Sequence, residues 1–303
     1  MGNPEFAVPS LKKLAASNHE ILSVVTNPPK PAGRGRKHIN TPVAKCAEDL
    51  NLKVMEIDNL NSEDTIQNLQ KLNADVFTVV AYRILPKEII AIPAKGSINL
   101  HGSLLPKYRG AAPIQWSLIN GDSETGLTTF ILQPKVDTGN VLQQKKIAID
   151  QDDNYGSLAE KMSNAGAELL VETMDEFEKG NLNPYAQDDV KATTARKISA
   201  EMTIINWQKS AQEIHNLIRG LTPSPGVHTL LSGKGLKIFE TEFIKENSAL
   251  NKGEISIIEK KYFSIQTGAG QLIVLQVQLE GKRRMSTGDF LRGVQFEVGT
   301  CLG

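Results

Sequence analysis

The sequence predicts a two-part chain, a doubly wound α/β domain followed by a small β-barrel. In the first half, short apolar runs rich in β-branched residues alternate with helical stretches, the order expected of parallel strands joined by helices. After residue 226, short strand-like runs are separated by Gly turns, which favours a barrel. The length of 303 residues is about twice that of a typical domain, so two domains are expected.

Short apolar runs rich in β-branched residues mark the strands of the first part, and several of them are near-continuously apolar, as strands buried on both faces of a parallel sheet are. These runs are residues 19–26, 52–56, 75–81 and 96–100. The helices between them begin at capping residues or Pro. They are predicted at residues 4–17 behind Asn3, 42–51 behind Thr41, and 63–72.

Two further strands are predicted at residues 126–132 and 141–149, around a turn at 137–139. A long helix follows at residues 155–179, and the polar stretch 180–196 lacks periodicity and is interpreted as an interdomain linker. The barrel part begins with an amphipathic helix. Its elements are that helix at 210–221 and strands at 227–231, 236–243, 254–258, 262–267 and 272–279.

Composition excludes several classes of protein. Lys and Arg total 34 against 34 Asp and Glu, so no overall charge attracts nucleic acid or an anionic membrane. Residues 190–303 nevertheless hold 15 Lys and Arg against 10 Asp and Glu, which hints at a nucleic-acid contact there. No apolar run approaches the ~20 residues of a membrane span and no targeting peptide is visible, so we expect a cytoplasmic protein without a membrane partner. Cys46 and Cys301 lie far apart, which argues against a disulfide framework or a zinc site.

The segment GSINLHGSLLPKYRGAAP, residues 96–113, is the most informative for chemistry. It begins as a strand whose end carries Asn99 and His101 on one face, at the sheet edge where open α/β folds bind ligands. No Gly-rich phosphate motif follows a strand, so nucleotide binding finds no support. Taken alone, a strand-end His is more often structural, and the Asp-Thr-Gly at Asp137 is more often a plain turn. The residues by themselves leave both alternatives open.

Several motifs together resemble the folate-dependent formyltransferases, and within that family the methionyl-tRNA formyltransferases. The matching segments run through most of the chain in family order. They are MGNPEFAVPSL (1–11), PAGRGRK (31–37), VAYRILP (80–86), NLHGSLLPKYRGAAP (99–113), VDTGNVL (136–142), IINW (204–207) and RGLTPSP (219–225). The resemblance implies a Rossmann-like formyltransferase domain at residues 1–180, a linker at 181–209 and an OB-like β-barrel that contacts tRNA at 210–303.

The resemblance also implies a catalytic trio of Asn99, His101 and Asp137. When an amine attacks a formyl carbon, an amide donor and an imidazolium can stabilise the charge that develops on the formyl oxygen. A nearby carboxylate can hold the imidazole or accept the proton of the amine through a water. In the family, a pocket for the reduced folate lies beside this trio, and the expected cofactor is 10-formyltetrahydrofolate without a metal. Its expected residues here are Arg83, Ile84, Leu85, Ser103, Leu104, Leu105 and Pro106, with Arg83 aimed at the glutamate carboxylate of the folate.

A basic loop, NPPKPAGRGRKHIN at residues 27–40, is predicted to select the acceptor. It exceeds the usual length of a βα connection, its Pro and Gly content is expected to exclude regular structure, and it contains no acid. The alternative is an ordinary solvated loop. The resemblance favours contact with the acceptor end of initiator methionyl-tRNA, through Lys30, Arg34, Arg36 and Lys37, together with Lys197 in the linker. The cluster Lys282, Arg283 and Arg284 is a second candidate.

Two alternatives remain at the level of sequence: a formyltransferase acting on a small amine, such as a sugar nucleotide or glycinamide ribonucleotide, and a non-catalytic tRNA-binding module. We expect a monomer. Family members have an apolar strand before the MGNPEF turn, whereas this sequence opens at the turn. The resemblance therefore implies a central strand upstream of Met1 whose absence would destabilise the domain.

Overall fold

The structure, a computed structural model, describes residues 1–32 and 37–303. Within them the chain forms two compact units. The first comprises Met1–Pro113, Thr125–Ala148 and Ala159–Ala195, and the second comprises Ile114–Glu124, Ile149–Leu158 and Arg196–Gly303. The predicted domain limits, a single linker at 181–209 between 1–180 and 210–303, stay a prediction.

The elements up to residue 195 follow the predicted alternation of strands and helices. The strands are β1 (Val24–Thr26), β2 (Lys30–Ala32), β3 (Lys37–Ile39), β4 (Val54–Glu56), β5 (Phe77–Val80), β6 (Ser97–His101), β7 (Arg109–Gly110), β8 (Glu124–Ile131), β9 (Val141–Ala148) and β10 (Thr194–Ala195). The helices are α1 (Val8–Ala15), α2 (Pro42–Asp49), α3 (Glu63–Gln70), α4 (Lys87–Ile90), α5 (Pro113–Ile119) and α6 (Tyr155–Glu178), with 3-10 turns at Glu5–Ala7 and Asp189–Lys191.

The sheet of the first unit is mixed. β1 pairs with β4 and β5 with β6 in parallel, whereas β8 pairs with β6 in the antiparallel direction and β9 lies beyond β8. Met1 and Gly2 lie between β1 and β5: the Gly2 amide donates to Val25 O at 3.1 Å, and the Val80 amide donates to Met1 O at 2.9 Å. The strands therefore follow the order β4, β1, Met1–Gly2, β5, β6, β8, β9, with β6 in a central position.

Side chains at the helix starts act largely as expected. Thr41 accepts a hydrogen bond from Ala44 N at 3.0 Å ahead of Pro42, which caps α2. The predicted cap at Asn3 is wrong, because its Oδ1 instead accepts from Asn27 N at 2.9 Å and from the Thr26 hydroxyl at 3.1 Å. Asn3 thus fixes the chain that leaves β1 rather than starting a helix.

The core of the first unit lies between the sheet and its helices. Its buried members are Val25, Ile57, Leu60, Leu69, Phe77, Val79, Leu85 and Ile89. α6 approaches the sheet closely at Gly166, where a Cβ would lie 2.8 Å from Leu100 Cδ2 of β6. A larger residue there would push the helix off the strand that carries Asn99 and His101.

The second unit is an antiparallel sheet with one long helix. It contains a 3-10 turn at Glu201–Thr203, α7 (Ala211–Leu221), β11 (Val227–Leu231), β12 (Lys234–Ile244), β13 (Ile255–Ile258), β14 (Phe263–Gln266), β15 (Gln271–Leu279), β16 (Met285–Ser286) and α8 (Thr287–Leu291). The order is β11, β12, β15, β14, β13, and β16 pairs with β15. Cys301 bridges to Glu254 beside β13, and Leu302 bridges to Leu231 of β11, so residues 301–302 connect the two outer strands of the sheet.

The fold class predicted from the sequence is confirmed: an α/β first part is followed by an antiparallel β second part. The core of the second unit is formed by α7 against the sheet and includes Trp207, Ile214, Ile218, Phe263 and Phe290. Cys46 and Cys301 are free thiols, and burial raises the pKa of the Cys46 thiol. None of the helices in residues 1–32 and 37–303 has the length and apolar character needed to cross a membrane.

The basic loop is more regular than predicted. β2 and β3 form an antiparallel ribbon in which Lys30 pairs with Ile39 and Pro31 with His38. The expectation of irregular structure was therefore wrong. A two-stranded ribbon has only edge strands, so a Pro can sit in it with its missing N–H on the outer side.

Candidate formyl-transfer site

β6 presents the first two predicted catalytic side chains. Asn99 is paired with Val79 of β5 and Phe130 of β8, and His101 with Thr128 of β8. Because residues two apart share a face of a strand, both side chains leave the sheet on the same side. Asn99 is half-buried, and its side chain forms no hydrogen bond with any residue that the structure describes. The amide is therefore available to an outside partner.

His101 is held in a defined orientation. The residue is only 6% exposed, and its ring meets the edge of Phe130 with the centroids 6.5 Å apart. Its Nε2 lies 2.9 Å from Tyr108 O, and since a carbonyl can only accept, Nε2 carries the proton. The other ring nitrogen, Nδ1, faces Asp137 Oδ2 at 3.8 Å. Nδ1 is therefore the ring nitrogen that can exchange a proton or contact a ligand.

Asp137 lies in the loop between β8 and β9. Its φ of 52° is in the left-handed region, which is uncommon for a residue other than Gly. The carboxylate is mostly buried, with 12% of the side chain exposed, and Oδ2 accepts a hydrogen bond from Gly110 N at 2.8 Å. At Gly139 a Cβ would lie 1.6 Å from Ile131 O, so only Gly fits there. The loop thus directs one carboxylate oxygen toward both β7 and His101.

The loop after His101 carries four of the residues expected to bind folate. Ser103 and Leu105 are buried, whereas Leu104 and Pro106 are half-buried. Thr128 ties the loop to β8: its hydroxyl donates to Ser103 O at 2.6 Å and accepts from Leu105 N at 3.0 Å. The backbone of this segment is therefore fixed beside β6, with Leu104 and Pro106 as its accessible apolar surface.

The second expected folate segment follows β5. Leu85 is 5% exposed and belongs to the core, whereas Ile84 is 73% exposed. The Arg83 guanidinium donates to Ile57 O at 2.5 Å and to Asp58 O at 2.6 Å, and it lies over the Tyr82 ring. Arg83 is thus engaged by backbone carbonyls here, and its contact with a folate carboxylate stays a prediction.

The residues predicted to contact tRNA are only partly described. Lys30 is exposed on β2 and Lys197 is exposed in the second unit. Arg34, Arg36 and the side chain of Lys37 lie outside the described residues. In the second candidate cluster, Lys282 and Arg283 are exposed, while Arg284 lies over the Phe239 ring at 4.3 Å and burial lowers its pKa.

Sequence reasoning missed the contribution of residues 185–195, which we call the strap. The strap lies within the stretch interpreted as a linker, yet β10 at its end pairs with β7, and Gln187 contacts the Asp137 loop. Arg109 of β7 binds Gln187 and also Asp189 at 2.7 Å, and this contact holds the pKa of the Asp189 carboxyl below its usual value. No periodicity or composition signal marks these contacts, because they join side chains to distant backbone atoms.

The chain contains no group of three or more His, Cys, Asp or Glu suited to a metal ion within its described part.

The following known proteins that are similar to this chain are all formyltransferases. A methionyl-tRNA formyltransferase of Pelotomaculum thermopropionicum is 42% identical over 305 residues, which cover 100% of this chain and 97% of that protein. A methionyl-tRNA formyltransferase of Agathobacter rectalis is 44% identical over 301 residues, which cover 99% of this chain and 97% of that protein. The fold is also similar to the crystal structure of WlaRD, a sugar 3N-formyl transferase, with a TM-score of 0.66 and 21% identity. The match covers 93% of this chain and 97% of WlaRD.

Two family models match the chain in sequence order. The model described as formyl transferase matches residues 1–174, and that described as formyl transferase, C-terminal domain, matches residues 197–295. The first spans the strands, loops and side chains of the candidate site. The chain belongs to the formyl transferase family.

Proposed function

We propose that the protein transfers the formyl group of 10-formyltetrahydrofolate to the α-amine of methionyl-initiator-tRNA, the reaction that prepares this tRNA for translation initiation. The observation that carries the proposal is the identity of 42% and 44% over essentially full length to methionyl-tRNA formyltransferases. Asn99 and His101 on one face of β6, with Asp137 facing His101, supply the groups that such a transfer needs.

The roles of the three side chains follow from their contacts. The reduced folate supplies the formyl group when bound. Asn99, whose amide has no partner among the described residues, donates a hydrogen bond to the formyl oxygen as negative charge develops there. His101 acts from Nδ1, because Nε2–H is committed to Tyr108 O. Asp137, at 3.8 Å from Nδ1, stabilises the protonated imidazole and receives the proton of the amine through a water as the amine attacks the formyl carbon. The bond between the formyl carbon and N10 of the folate then breaks, and N10 takes a proton back through the same water, so that tetrahydrofolate leaves neutral.

Two apolar surfaces lie on the segments expected to bind the folate. Ile84 is exposed and Leu104 half-buried, which supports binding on the segments 83–85 and 103–106. WlaRD was crystallised in the presence of 5-N-formyl-THF, so a relative of the same fold meets a formylated folate. The Asn99 amide, which has no partner among the described residues, can donate to a formyl oxygen and so supports 10-formyltetrahydrofolate as the co-substrate.

The acceptor is a tRNA because the first unit carries the basic ribbon with exposed Lys30 and the second carries exposed Lys197. Arg34, Arg36 and Lys37 extend the positive charge of the ribbon in the sequence. Phosphates near the amino-acid end of the tRNA would pair with these cations. Translation initiation takes place in the cytoplasm, where we expect the protein to act, as a monomer.

The experiment compares acceptors at a fixed concentration of 10-formyltetrahydrofolate. We expect formylation of methionyl-initiator-tRNA and little with a dTDP-amino sugar, the class of compound suggested by the dTDP present with WlaRD. Preferential formylation of the amino sugar would contradict the proposed acceptor. No transfer to either amine, with tRNA bound, would instead favour a non-catalytic module.

The matched variant is His101→Ala. Turnover is expected to fall by orders of magnitude, while tRNA binding stays close to that of the unaltered protein, because His101 is buried and its ring faces Tyr108 O, Phe130 and Asp137. His228→Ala, which removes a half-buried His of β11, is the control and should keep turnover. Equal turnover of His101→Ala and the control would contradict the catalytic assignment.

A further inference from the structure

The strap returns to the site and is anchored at both of its ends. At the first end, Tyr185 and Val141 of β9 exchange two backbone hydrogen bonds of 2.9 and 3.1 Å. At the second end, Thr194 and Ala195 of β10 pair in parallel with Arg109 and Gly110 of β7. Between these anchors the strap passes the loop that carries Asp137.

Gln187 is the one residue in 183–191 that is not exposed. Its Nε2 donates to two carbonyls of the Asp137 loop, Asp137 O at 2.9 Å and Gly139 O at 2.8 Å. Its Oε1 accepts from Arg109 Nε at 3.0 Å and Nη2 at 2.7 Å. The carbonyls can only accept and the guanidinium can only donate, so one orientation of the amide satisfies all four bonds.

The loop needs such support because its conformation is unfavourable by itself. Asp137 has a left-handed φ of 52°, which is unfavourable for a residue other than Gly. The preceding residues 133–136 are all exposed, so little packing holds the approach to Asp137. The two carbonyls bound by Gln187 flank the turn on either side of Thr138 and fix its backbone.

The two residues of β7, Arg109 and Gly110, contact the Asp137 loop in two ways, one through Gln187 and one directly at the carboxylate. Arg109 holds Gln187, and Gly110 N donates to Asp137 Oδ2 at 2.8 Å. The strap runs so close to β7 that a Cβ at Gly110 would lie 2.6 Å from Ala195 O, and Gly110 has a φ of 125°. A change in the strap is thereby passed to the position of the Asp137 carboxylate.

We propose that Gln187 is a positioning residue for formyl transfer: through its amide, held by Arg109, it keeps the Asp137 loop where the carboxylate meets His101. The proposal rests on the proposed function for the role of Asp137, but not for the contacts themselves. Gln187 touches neither His101 nor the reacting atoms, and it acts through the backbone of the loop.

The test is Gln187→Glu, which preserves the length of the side chain and its acceptor for Arg109 but removes both donors to the loop. A carboxylate there would also face two carbonyl oxygens. We expect kcat to fall about 10- to 100-fold, of the order found when one positioning contact is lost, with the KM for both substrates nearly unchanged. The pH profile of kcat should shift, because the carboxylate facing His101 moves. A purely structural role would leave that profile in place.

Gln70→Glu, an equal change of charge on the exposed end of α3, is the control and should behave as the unaltered protein. Hydrogen exchange provides a second measurement that needs no substrate. In Gln187→Glu, peptides covering residues 136–140 should exchange faster, while those of β6 stay unchanged. An unaltered kcat and pH profile in Gln187→Glu would overturn the proposal, as would unaltered exchange at 136–140.

The two proposals fail in different ways. If the unaltered protein formylates a small amine rather than methionyl-tRNA, the proposed acceptor is wrong, and the effect of Gln187→Glu is then measured with that amine. If methionyl-tRNA is formylated equally by the unaltered protein and Gln187→Glu, the proposed function stands and the positioning role is wrong.

Discussion

At the residue scale, the candidate site places two side chains on the same face of β6, one that is hydrogen-bonded within the protein and one that is not. His101 is fixed through Tyr108 O, whereas the Asn99 amide has no partner in the described structure. A half-buried amide without a partner is costly unless a ligand or water meets it. This pairing suits a site in which the His is oriented in advance and the Asn is completed by the substrate.

Asn99 is therefore expected to contribute to the rate rather than to stability. Asn99→Ala should lower kcat by about 100- to 1000-fold, the usual cost of one donor to a developing oxyanion. Asn99→Asp, which replaces the donor with a charged acceptor, should be at least as slow. Single-turnover formylation measures the rate, and thermal unfolding should show a melting temperature close to that of the unaltered protein. Asn68→Ala, on exposed α3, serves as the control. Turnover of Asn99→Ala within a few fold of this control would contradict the role.

The site residues differ in how far the sequence could predict them. Asn99 and His101 were accessible because strand alternation and the sheet edge give their placement. Asp137 required the resemblance, since a turn Asp carries no pattern of its own. Gln187 could not be predicted, because it acts by side-chain bonds to backbone atoms about 50 residues away in sequence, and such bonds leave no periodicity.

At the scale of elements, α7 carries a half-buried His against β12. His215 Nδ1 lies 2.9 Å from the Thr241 hydroxyl, and its ring lies 5.3 Å from that of Phe243. Burial, together with the positive charge of Arg219, lowers the pKa of His215 to about 4. The folded protein thus favours the neutral ring.

This shift makes the stability of the second unit dependent on pH. An unfolded His binds a proton near pH 6.5, so the unfolded chain binds more protons than the folded one between pH 6.5 and about 4. The stability that the neutral His215 ring gives the folded protein is fully present above pH 6.5 and is lost as the pH falls toward 4. The free energy of unfolding decreases over this range by at most about 3 kcal/mol. In His215→Gln, the free energy of unfolding should fall less between pH 7.5 and 4.5 than in the unaltered protein.

Tryptophan fluorescence in urea can follow this unfolding, because Trp116 and Trp207 both belong to the second unit. His38→Gln on exposed β3 is the control and should retain the pH dependence of the unaltered protein. Equal pH dependence of His215→Gln and this control would refute the prediction.

Most strands and helices were predictable from apolar runs and caps, but the short helices α5 and α8 and the two-residue strands were not. β7 and β10 have two residues each, too few to show alternation, and they form by pairing with each other across the chain. The ribbon of β2 and β3 was missed for another reason. The Pro and Gly content of the loop argued against regular structure, but a two-stranded ribbon tolerates a Pro on its outer side, as at Pro31.

At the scale of the whole molecule, charge is distributed unevenly although the total is balanced. The excess of 15 Lys and Arg over 10 Asp and Glu in residues 190–303 is matched by the opposite excess before it. Lys282 and Arg283 are exposed within this basic part. Any attraction of the barrel for tRNA thus depends on local cations rather than on net charge.

Binding of tRNA should consequently weaken as salt rises. Each phosphate contact contributes about −0.7 to −0.9 to the slope of log affinity against log salt. The double variant Lys282→Ala/Arg283→Ala should make that slope shallower by about one to two if both residues meet phosphates. Lys12→Ala/Lys13→Ala, on exposed positions of α1, is the matched control. Filter binding between 50 and 300 mM salt measures the slope, and equal slopes in the two double variants would exclude the cluster from the interface.

The pairing of β7 with β10 also has a consequence during synthesis of the chain, because the Asp137 loop is made before the strap that contacts it. Asp137 leaves the ribosome well before Gln187 and Ala195, on which its loop depends. Translation proceeds at ~5–20 residues per second, so the nascent first unit spends several seconds with that loop unsupported. Until the strap has emerged, the growing chain lacks the hydrogen bonds that Gln187 donates to the Asp137 loop.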